Sequence, residues 1–559
     1  MSRIPRCLLL PFLLALPQTA ATQEEPLIAF DHYHTLAEIE TFLEDVAARY
    51  PELVTLYEIG RSRADRPIWA VDVNNPATGP AAEKPGFYID GNIHGGEVLG
   101  GEGALAFLER LTSQYGKDPG LTELVDSRAF YVVPIANPDG RAISVDTPEN
   151  HRWNIRPGDE DGDGLLDEDP PEDLDGDGRI LQMRIRDPDG PWSIHPTDPR
   201  RMVRGESTAE PRYRLDREGI DNDGDGRFNE DRVGGVDLNR NFPANWSAAQ
   251  FASGPFPLSE PETHALVAYI TARPNIAAIH TFHTSGGLIL RFPTLADQDF
   301  EFPRADIEEY RGIAEDGVAL TGYQNFAVEK KPIVDLMSPG HGVFTDWASK
   351  VFGVLAITTE MWAHAIGEGQ DALFRWNDDI LGGRGFVDWY PYAHPALGLV
   401  ELGGWDRWST ASPPEPMISA EVDRNVRWVF TFARKTPLVA IRDASATRLG
   451  GDIIRVHATV ANVGWMATAT VQASETLGTA RPVRAYIELE NAVVLAGGPV
   501  VDLGVLPGTR GGSVDPKEVS WSVRAVDPTR PVGVTVVVSS EKAGTVRQTL
   551  SVSPEGTNP

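Results

Sequence analysis

Residues 86–111 read GFYIDGNIHGGEVLGGEGALAFLERL, and this stretch decides how the rest of the chain is interpreted. The apolar run 87–90 predicts a short buried strand, and the residues from 98 onward predict a helix, with a glycine-rich turn between them. His94 and Glu97 therefore lie three residues apart where a strand passes into a helix. One turn can present both side chains to a single metal ion. Alone the pair is a weak signal, because the helix dipole also favours a glutamate at a helix N-terminus.

Strand and helix patterns alternate over most of the chain. Apolar runs predict strands at 54–59, 68–73, 129–136, 276–279 and 352–359, and helical periodicity or start signals mark 36–49, 259 onward and 419 onward. This alternation predicts an α/β fold, a mostly parallel mixed sheet with helices on both faces, over residues 27–435. From about residue 438 short runs alternate with period two between Gly/Pro turns, which predicts an all-β, immunoglobulin-like sandwich at 438–555.

The amino terminus predicts export. Residues 1–22 carry two arginines, an apolar run and then small residues, which is the pattern of a secretory signal peptide. We therefore expect a secreted or periplasmic protein, and no other apolar run is long enough to span a bilayer. The only cysteine, Cys7, lies within this signal, so the exported chain would have no disulfide. A formal net charge of −31 argues against nucleic acid as a partner.

Much of the acidic charge is concentrated in an insertion at 158–233. Three loops there repeat aspartate at positions one, three and five with glycine at six, a spacing that wraps carboxylates around a hard cation. The candidate calcium ligands are Asp159, Asp161, Asp163, Asp173, Asp175, Asp177, Asp221, Asp223 and Asp225. The glutamate expected at position twelve is missing, so Asp169 or Asp231 would have to supply a late ligand. The alternative is that these are solvated acidic loops.

Eight motifs in order resemble the zinc metallocarboxypeptidases of the carboxypeptidase A type (M14 peptidases). They are HGGE at 94–97, NPDG at 137–140, RWNIRP at 152–157, VDLNRNF at 236–242, SEPET at 259–263, HTSGGLIL at 283–290, TDW at 345–347 and TTE at 358–360. The resemblance covers about residues 30–435 apart from the insertion. It implies a metallocarboxypeptidase that hydrolyses C-terminal amino acids from peptides or proteins with a free C-terminus.

The resemblance also implies roles for individual residues. His94, Glu97 and His283 would bind zinc and leave a fourth position to water, with His280 as the competitor for the third ligand. Glu360 would be the general base that deprotonates the zinc-bound water. Arg152 would polarise the scissile carbonyl, with Arg156 as the weaker candidate.

Three further residues would contact the substrate. The resemblance implies that Arg240 holds the terminal carboxylate, with Asn239 beside it, and that Thr345 lines the side-chain pocket. The family's arginine before the metal glutamate is replaced by Gly96, and its active-site tyrosine is replaced near Ser338. Tyr323 could substitute for that tyrosine only if its loop folds differently. Two other functions stay open: an amidase or endopeptidase acting on cell-wall peptides, and a non-catalytic peptide-binding protein on the same fold.

Overall fold

The computed structural model describes residues 26–159, 162–205, 211–291, 303–325, 340–362 and 369–554. The helices are α1 Leu36–Arg49, α2 Val98–Ser113, α3 Pro119–Ser127, α4 Pro138–Asp146, α5 Pro261–Thr271, α6 Arg304–Thr321, α7 Phe344–Trp347, α8 Gln370–Asp379, α9 Arg407–Thr410, α10 Glu415–Arg434 and α11 Ala473–Leu477. None of the helices within these ranges combines the length and the apolar character that a bilayer crossing requires.

The strands fall into two groups along the chain. Those before residue 410 are β1 Val54–Arg61, β2 Pro67–Val73, β3 Gly86–Gly91, β4 Ala129–Val133, β5 Gln182–Arg186, β6 Trp192–Ile194, β7 Met202–Arg204, β8 Arg212–Arg217, β9 Ile276–Thr284, β10 Leu288–Arg291, β11 Gln324–Asn325, β12 Leu355–Met361, β13 Phe386–His394 and β14 Gly398–Trp405. The others are β15 Val439–Gly450, β16 Ile453–Asn462, β17 Val483–Glu490, β18 Ala492–Ala496, β19 Val500–Gly504, β20 Lys517–Ala525, β21 Val532–Ser540 and β22 Gly544–Val552.

The predicted α/β fold is confirmed as an eight-stranded mixed sheet. Its strand order is β1-β2-β4-β3-β9-β12-β10-β11, and the central strands β4, β3, β9 and β12 run parallel. Two apolar clusters pack on its opposite faces: Phe87 and Phe282 belong to one, Tyr88 and Ile279 to the other. The carboxyl ends of parallel central strands meet at one edge, which is where an α/β sheet places its site.

Strand β9 extends five residues beyond the predicted 276–279, to Thr284. It pairs with β12 from Ala278 to Thr284 and with β3 from Ala278 to Phe282, so even its polar residues are paired inside the sheet. Helix α2 can approach the strand closely because a side chain at Gly100 would place its Cβ 2.6 Å from the carbonyl oxygen of Phe282. The turn before this helix is thereby held against the sheet edge.

Two predicted helix starts are wrong in detail. Helix α5 begins at Pro261, two residues after the predicted start at 259; Glu260 gives it no side-chain cap, and the Ser259 hydroxyl donates to Glu260. Helix α10 begins at Glu415 instead of Ser419, with Pro416 in its first turn. Proline is compatible with that position because the first backbone N–H groups of a helix have no intrahelical acceptor.

The insertion contains more regular structure than its sequence predicts. Strands β5 to β8 lie within it and join the hairpin β13–β14 in a six-stranded sheet ordered β13-β14-β5-β8-β6-β7. The link is the pairing of Arg184 in β5 with Glu401 in β14, whose side chains also form a salt bridge at 2.8 Å. The apolar residues of this small sheet are few, which is why the pattern at 158–233 gives little sign of it.

The carboxyl-terminal region is a β-sandwich, as predicted. Its two four-stranded sheets are ordered β15-β16-β20-β18 and β19-β17-β21-β22, and they enclose a core of mainly valine side chains. The sandwich packs on the α/β domain: Met466 and Val471 join the core beneath α6, and Arg547 forms a salt bridge with Glu83.

Candidate metal centre

His94, Glu97 and His283 converge at the carboxyl ends of β3 and β9. The two imidazole Nδ1 atoms lie 3.1 Å apart, and the Glu97 carboxylate bridges them at 2.7 Å from His94 and 2.8 Å from His283. Both histidines are buried. Burial opposes ionisation, but His94 and His283 hold the pKa of Glu97 well below its ordinary value. The predicted ligand set is therefore brought together within the described residues.

This donor set fits zinc. Atoms bound at 2.0–2.1 Å around a tetrahedral ion lie about 3.3 Å from one another, close to the separation of the two Nδ1 atoms. Two imidazoles and one carboxylate are also the donor types of an open catalytic zinc site, which keeps a fourth position for substrate or water.

Asn92 holds the turn that carries His94. Its backbone is in the left-handed region at φ +57°, and its side-chain amide donates to the carbonyl oxygens of His94 at 2.6 Å and Gly95 at 2.9 Å. Beneath it, the buried Arg141 donates to the Asn92 side chain at 2.9 Å and pairs with Glu102 at 2.6 Å. The turn is thus fixed from inside by a buried, charge-balanced network.

Asp237 is a site residue that sequence reasoning missed. Its Oδ1 lies 3.0 Å from Nε2 of His94, on the side of the ring away from the other ligands. Burial alone would raise the pKa of Asp237, but Arg152 and His94 hold that pKa well below its ordinary value. A carboxylate on the outer nitrogen orients a ligating histidine and fixes its tautomer. Its place in the VDLNRNF motif was the available signal.

Glu360 ends β12 beside the cluster. It is paired in register with His283 on β9, so both side chains project from the same face of the sheet. The residue is 7% exposed. Burial, with the nearby Glu97, raises the pKa of Glu360 to about 7, although His283, Arg152 and Arg240 act in the opposite direction. A carboxyl group with a pKa near neutrality is suited to exchange a proton during a reaction.

Arg152 lies at the mouth of the site. Its guanidinium contacts Glu97 at 3.0 Å and Asp237 at 3.1 Å, and its NH2 lies 2.9 Å from Nε2 of His94. Burial opposes the charge, but Asp237 and Glu97 raise the pKa of Arg152 above its usual range. Arg156, the alternative, pairs instead with the buried Glu260 at 2.8 Å.

Asn239 and Arg240 lie two and three residues after Asp237, in a short 3-10 turn that Asp237 caps. Asn239 is buried and accepts from the backbone N–H of Phe344 at 2.8 Å, which ties this turn to the helix that carries Thr345. Arg240 donates to the Asn239 carbonyl at 2.8 Å. Within the described ranges no carboxylate lies within salt-bridge distance of its guanidinium. Thr345 is buried in α7.

His280 points away from the cluster. Its Nε2 lies 2.9 Å from the Thr359 hydroxyl, and its ring packs against Phe282 and Trp428 on the opposite face of the sheet. Burial, with the charge of His283, lowers the pKa of His280 to about 3. The geometry therefore offers His283, not His280, as the third ligand.

Two departures from the family pattern have a structural outcome. Tyr323 is 3% exposed, and its hydroxyl donates to the buried Glu421, so it does not serve as a substrate clamp. Ser338 lies outside the described residues. The space that a side chain at Gly96 would enter is taken by the side chain of Asn150.

The Asp-rich loops fold alike. In each, the first aspartate accepts the backbone N–H groups of the two glycines, as Asp173 does from Gly176 and Gly178, both at 2.8 Å. Among the described residues the carboxylates gather in three groups: Asp173, Asp175 and Asp177; Asp221, Asp223 and Asp225; and Asp163, Glu168 and Asp223. Glu168 was missed from the sequence, and Asp161 lies outside the described residues. Asp169 is buried and accepts from the backbone N–H of Asn229 at 3.1 Å, so it braces the third loop.

Comparison with protein families gives two matches. Residues 39–172 and 187–372, more than half of the chain, match the family model described as zinc carboxypeptidase. Residues 438–551 match a second model, described as a domain of unknown function.

Individual relatives are more distant. Mouse (Mus musculus) carboxypeptidase D is 35% identical over 127 residues, which cover 22% of this chain and 9% of that protein. Rat (Rattus norvegicus) carboxypeptidase A1 is 24% identical over 324 residues, 56% of this chain and 59% of that protein. The chain thus spans less than two thirds of either relative. Among solved structures, bovine thrombin-activatable fibrinolysis inhibitor in complex with tick carboxypeptidase inhibitor is similar over 72% of this chain and 97% of its own, at 18% identity and a TM-score of 0.43.

Proposed function

Since the chain belongs to the zinc carboxypeptidase family, we propose that it is a metallocarboxypeptidase that removes amino acids from the C-terminal ends of peptides. Three side chains would hold the zinc ion: His94, Glu97 and His283. When bound, the zinc supplies a Lewis acid that polarises a water molecule and the scissile carbonyl. The remaining chemistry belongs to residues of this chain.

Glu360 is the proposed general base. Its carboxylate takes one proton from the attacking water as the water oxygen bonds to the carbonyl carbon, and returns that proton to the amine as the C–N bond breaks. Its burial beside His283 keeps it next to the reacting atoms. Arg152, partly exposed at the mouth, is placed to donate to the carbonyl oxygen as negative charge develops there.

Arg240 is the residue that favours an exopeptidase over an endopeptidase. In so acidic a chain an ordinary arginine is expected to have a carboxylate partner, yet within the described part of the chain Arg240 has none. Its positive charge nevertheless acts on both Asp237 and Glu360, so it lies close to the reacting centre. A guanidinium held in such a place can bind a terminal carboxylate through two parallel hydrogen bonds. Asn239 and Thr345 would line the adjoining pocket for the last side chain.

The test compares a peptide that has a free C-terminus with the same peptide amidated. Loss of a charge-assisted contact costs on the order of 2–5 kcal/mol, so the free acid should be cleaved at least about tenfold faster. Arg240→Ala should remove most of this preference by slowing cleavage of the free acid. Arg156→Ala removes an arginine that already has a partner, and it should keep the preference. Equal cleavage of both peptides by the unmutated protein would favour an amidase or endopeptidase.

We also propose that the Asp-rich loops bind calcium. This proposal is supported by the fold that the loops share, in which glycines at positive φ let each loop turn sharply around its carboxylates. Burial and the neighbouring Asp175 raise the pKa of Asp177, as expected where carboxylates crowd together. Such ions would brace an insertion that has a small apolar core.

We propose, finally, that the protein acts after export, as a secreted or periplasmic enzyme. This rests on the signal-peptide pattern at residues 1–22, which lie outside the described residues.

A further inference from the structure

Three polar atoms beneath the metal centre lack a hydrogen-bond partner within the described part of the chain. They are Oδ1 of Asp90, Oγ1 of Thr281 and Nε2 of His283, and all three residues are at most 1% exposed. Buried polar groups are rarely left unpaired, because water can no longer solvate them. Three of them in one place therefore call for an explanation.

The sheet places these residues side by side. Asp90 on β3 is paired in register with Thr281 on β9, so their side chains lie on the same face. His283 follows Thr281 by two residues and projects from that face as well. The face is the one that carries Tyr88 and Ile279 in its apolar core, with the metal ligands at its carboxyl end.

The two ligating histidines differ in what holds their outer nitrogens. Nε2 of His94 has Asp237 at 3.0 Å, whereas Nε2 of His283 has no partner in the described ranges. A metal-binding histidine almost always donates its second ring N–H, commonly to a carboxylate. Asp90 is a carboxylate on the correct face, and its Oδ2 already accepts from the Tyr88 hydroxyl at 3.0 Å.

We propose that Asp90 is the positioning residue for His283 and that it acts through Thr281. In this relay Nε2–H of His283 would donate to Oγ1 of Thr281, and the Thr281 hydroxyl would donate to Oδ1 of Asp90, once the side chains rotate to bring these unpaired atoms within hydrogen-bond distance. Each of the three atoms then has one partner of the right polarity. The relay fixes the proton of His283 on Nε2 and leaves the Nδ1 lone pair for the metal. The inference rests on the proposed zinc site and adds a residue to it.

The test measures zinc binding instead of turnover. The variants are Asp90→Asn, Thr281→Val and the double variant, with zinc affinity measured by competition against a chromophoric chelator. Loss of an outer partner typically weakens metal affinity 10- to 100-fold, and we expect such a loss for both single variants. Because the two residues act in one hydrogen-bonded relay, the zinc affinity of the double variant should lie within about threefold of that of Thr281→Val.

The matched control is Thr359→Val. It also removes a buried hydroxyl beside a histidine on these strands, but that histidine is His280, on the opposite face. Its zinc affinity should match the unmutated protein within about twofold, while its metal-free melting temperature should fall about as much as that of Thr281→Val. The visible spectrum of the cobalt(II)-loaded protein should change for Asp90→Asn and Thr281→Val and not for the control.

The outcomes separate the relay from the site itself. If His283→Ala binds zinc as tightly as the unmutated protein, the proposed metal site fails. If His283→Ala loses zinc while Thr281→Val keeps full affinity and an unchanged cobalt spectrum, the site stands and the relay is wrong. If the fold-losses of zinc affinity in the two single variants multiply in the double variant, Asp90 and Thr281 act separately, and the relay is also overturned.

Discussion

Glu360 shows how a single carboxylate is prepared by its surroundings. It ends a buried strand next to His283, and burial together with Glu97 raises its pKa to about 7. A glutamate in such a place does not contribute to the stability of the fold, because burying a carboxylate costs free energy unless it is paired. Its location is therefore explained best by a reaction in which it exchanges a proton.

Glu360→Gln tests this role. The amide keeps the shape of the side chain but cannot accept a proton, so turnover should fall by about 10²- to 10⁴-fold. Zinc content, measured by atomic absorption, should stay the same because Glu360 is not among the proposed ligands. Glu309→Gln, in helix α6, is the control and should keep its activity at neutral pH. Turnover that survives in Glu360→Gln would refute the assignment of the base.

Residue identities at the site follow from the sequence to different degrees. The candidate metal ligands and Glu360 could be predicted because HGGE, HTSGG and TTE each carry a local pattern. Asp237 could not, because it lies 143 residues from His94 in the chain and meets it only in the fold. Asp90 could not, because it comes close to the strand of His283 only after β3 and β9 pair. Arg141 is hidden in the same way, since its partners Glu102 and Asn92 lie about forty to fifty residues away.

Among the elements, the insertion departs most from expectation. Its strands are short, and β5 pairs with β14 across more than two hundred residues, a partnership that no local pattern reveals. Strands β3, β9 and β12 were predicted from continuous apolar runs because central parallel strands are buried on both faces. The ends of β9 and β12 were missed because polar site residues interrupt those runs.

Calcium removal tests the loops of this insertion. If they bind the ion, a calcium chelator should lower the melting temperature by several degrees before zinc is lost, since a ligand at about 100 times its Kd adds roughly 2.7 kcal/mol to the free energy of unfolding. Asp173→Asn with Asp221→Asn should remove this calcium-dependent shift. Asp187→Asn, in a turn of the same insertion, should retain it. A melting temperature that is indifferent to calcium would leave the loops as solvated acidic turns.

At the scale of the whole molecule, the β-sandwich is joined to the α/β domain through helix α6. The Asp306 carboxylate accepts from the backbone N–H of Gln472 at 2.6 Å, and Glu309 accepts from that of Ala467 at 3.4 Å. Burial raises the pKa of Glu309 to about 8. This contact between the domains is therefore sensitive to pH.

The sign of that sensitivity is fixed by the pKa. Between about pH 4.5 and pH 8 the unfolded chain releases a proton that folded Glu309 retains, so its contribution to stability is complete below pH 4.5 and is lost as pH rises through 8. The free energy of unfolding of Glu309→Gln, relative to that of the unmutated protein, should therefore increase from pH 5 to pH 8.5, by a few kcal/mol at most. Urea unfolding at both pH values measures this gain. Glu308→Gln, at a half-buried neighbour that ion-pairs with Arg304, is the control, and a gain of equal size there would contradict this explanation.

The proposed activity removes amino acids from a peptide one at a time, beginning at the C-terminus. The most direct measurement is a time course of one unmodified peptide incubated with the zinc-loaded protein and analysed by mass spectrometry. We predict a ladder of products that all keep the original N-terminus, each one amino acid shorter than the last, together with free amino acids. Fragments that keep the original C-terminus, which only internal cleavage produces, or a peptide left intact by the zinc-loaded protein, would contradict it.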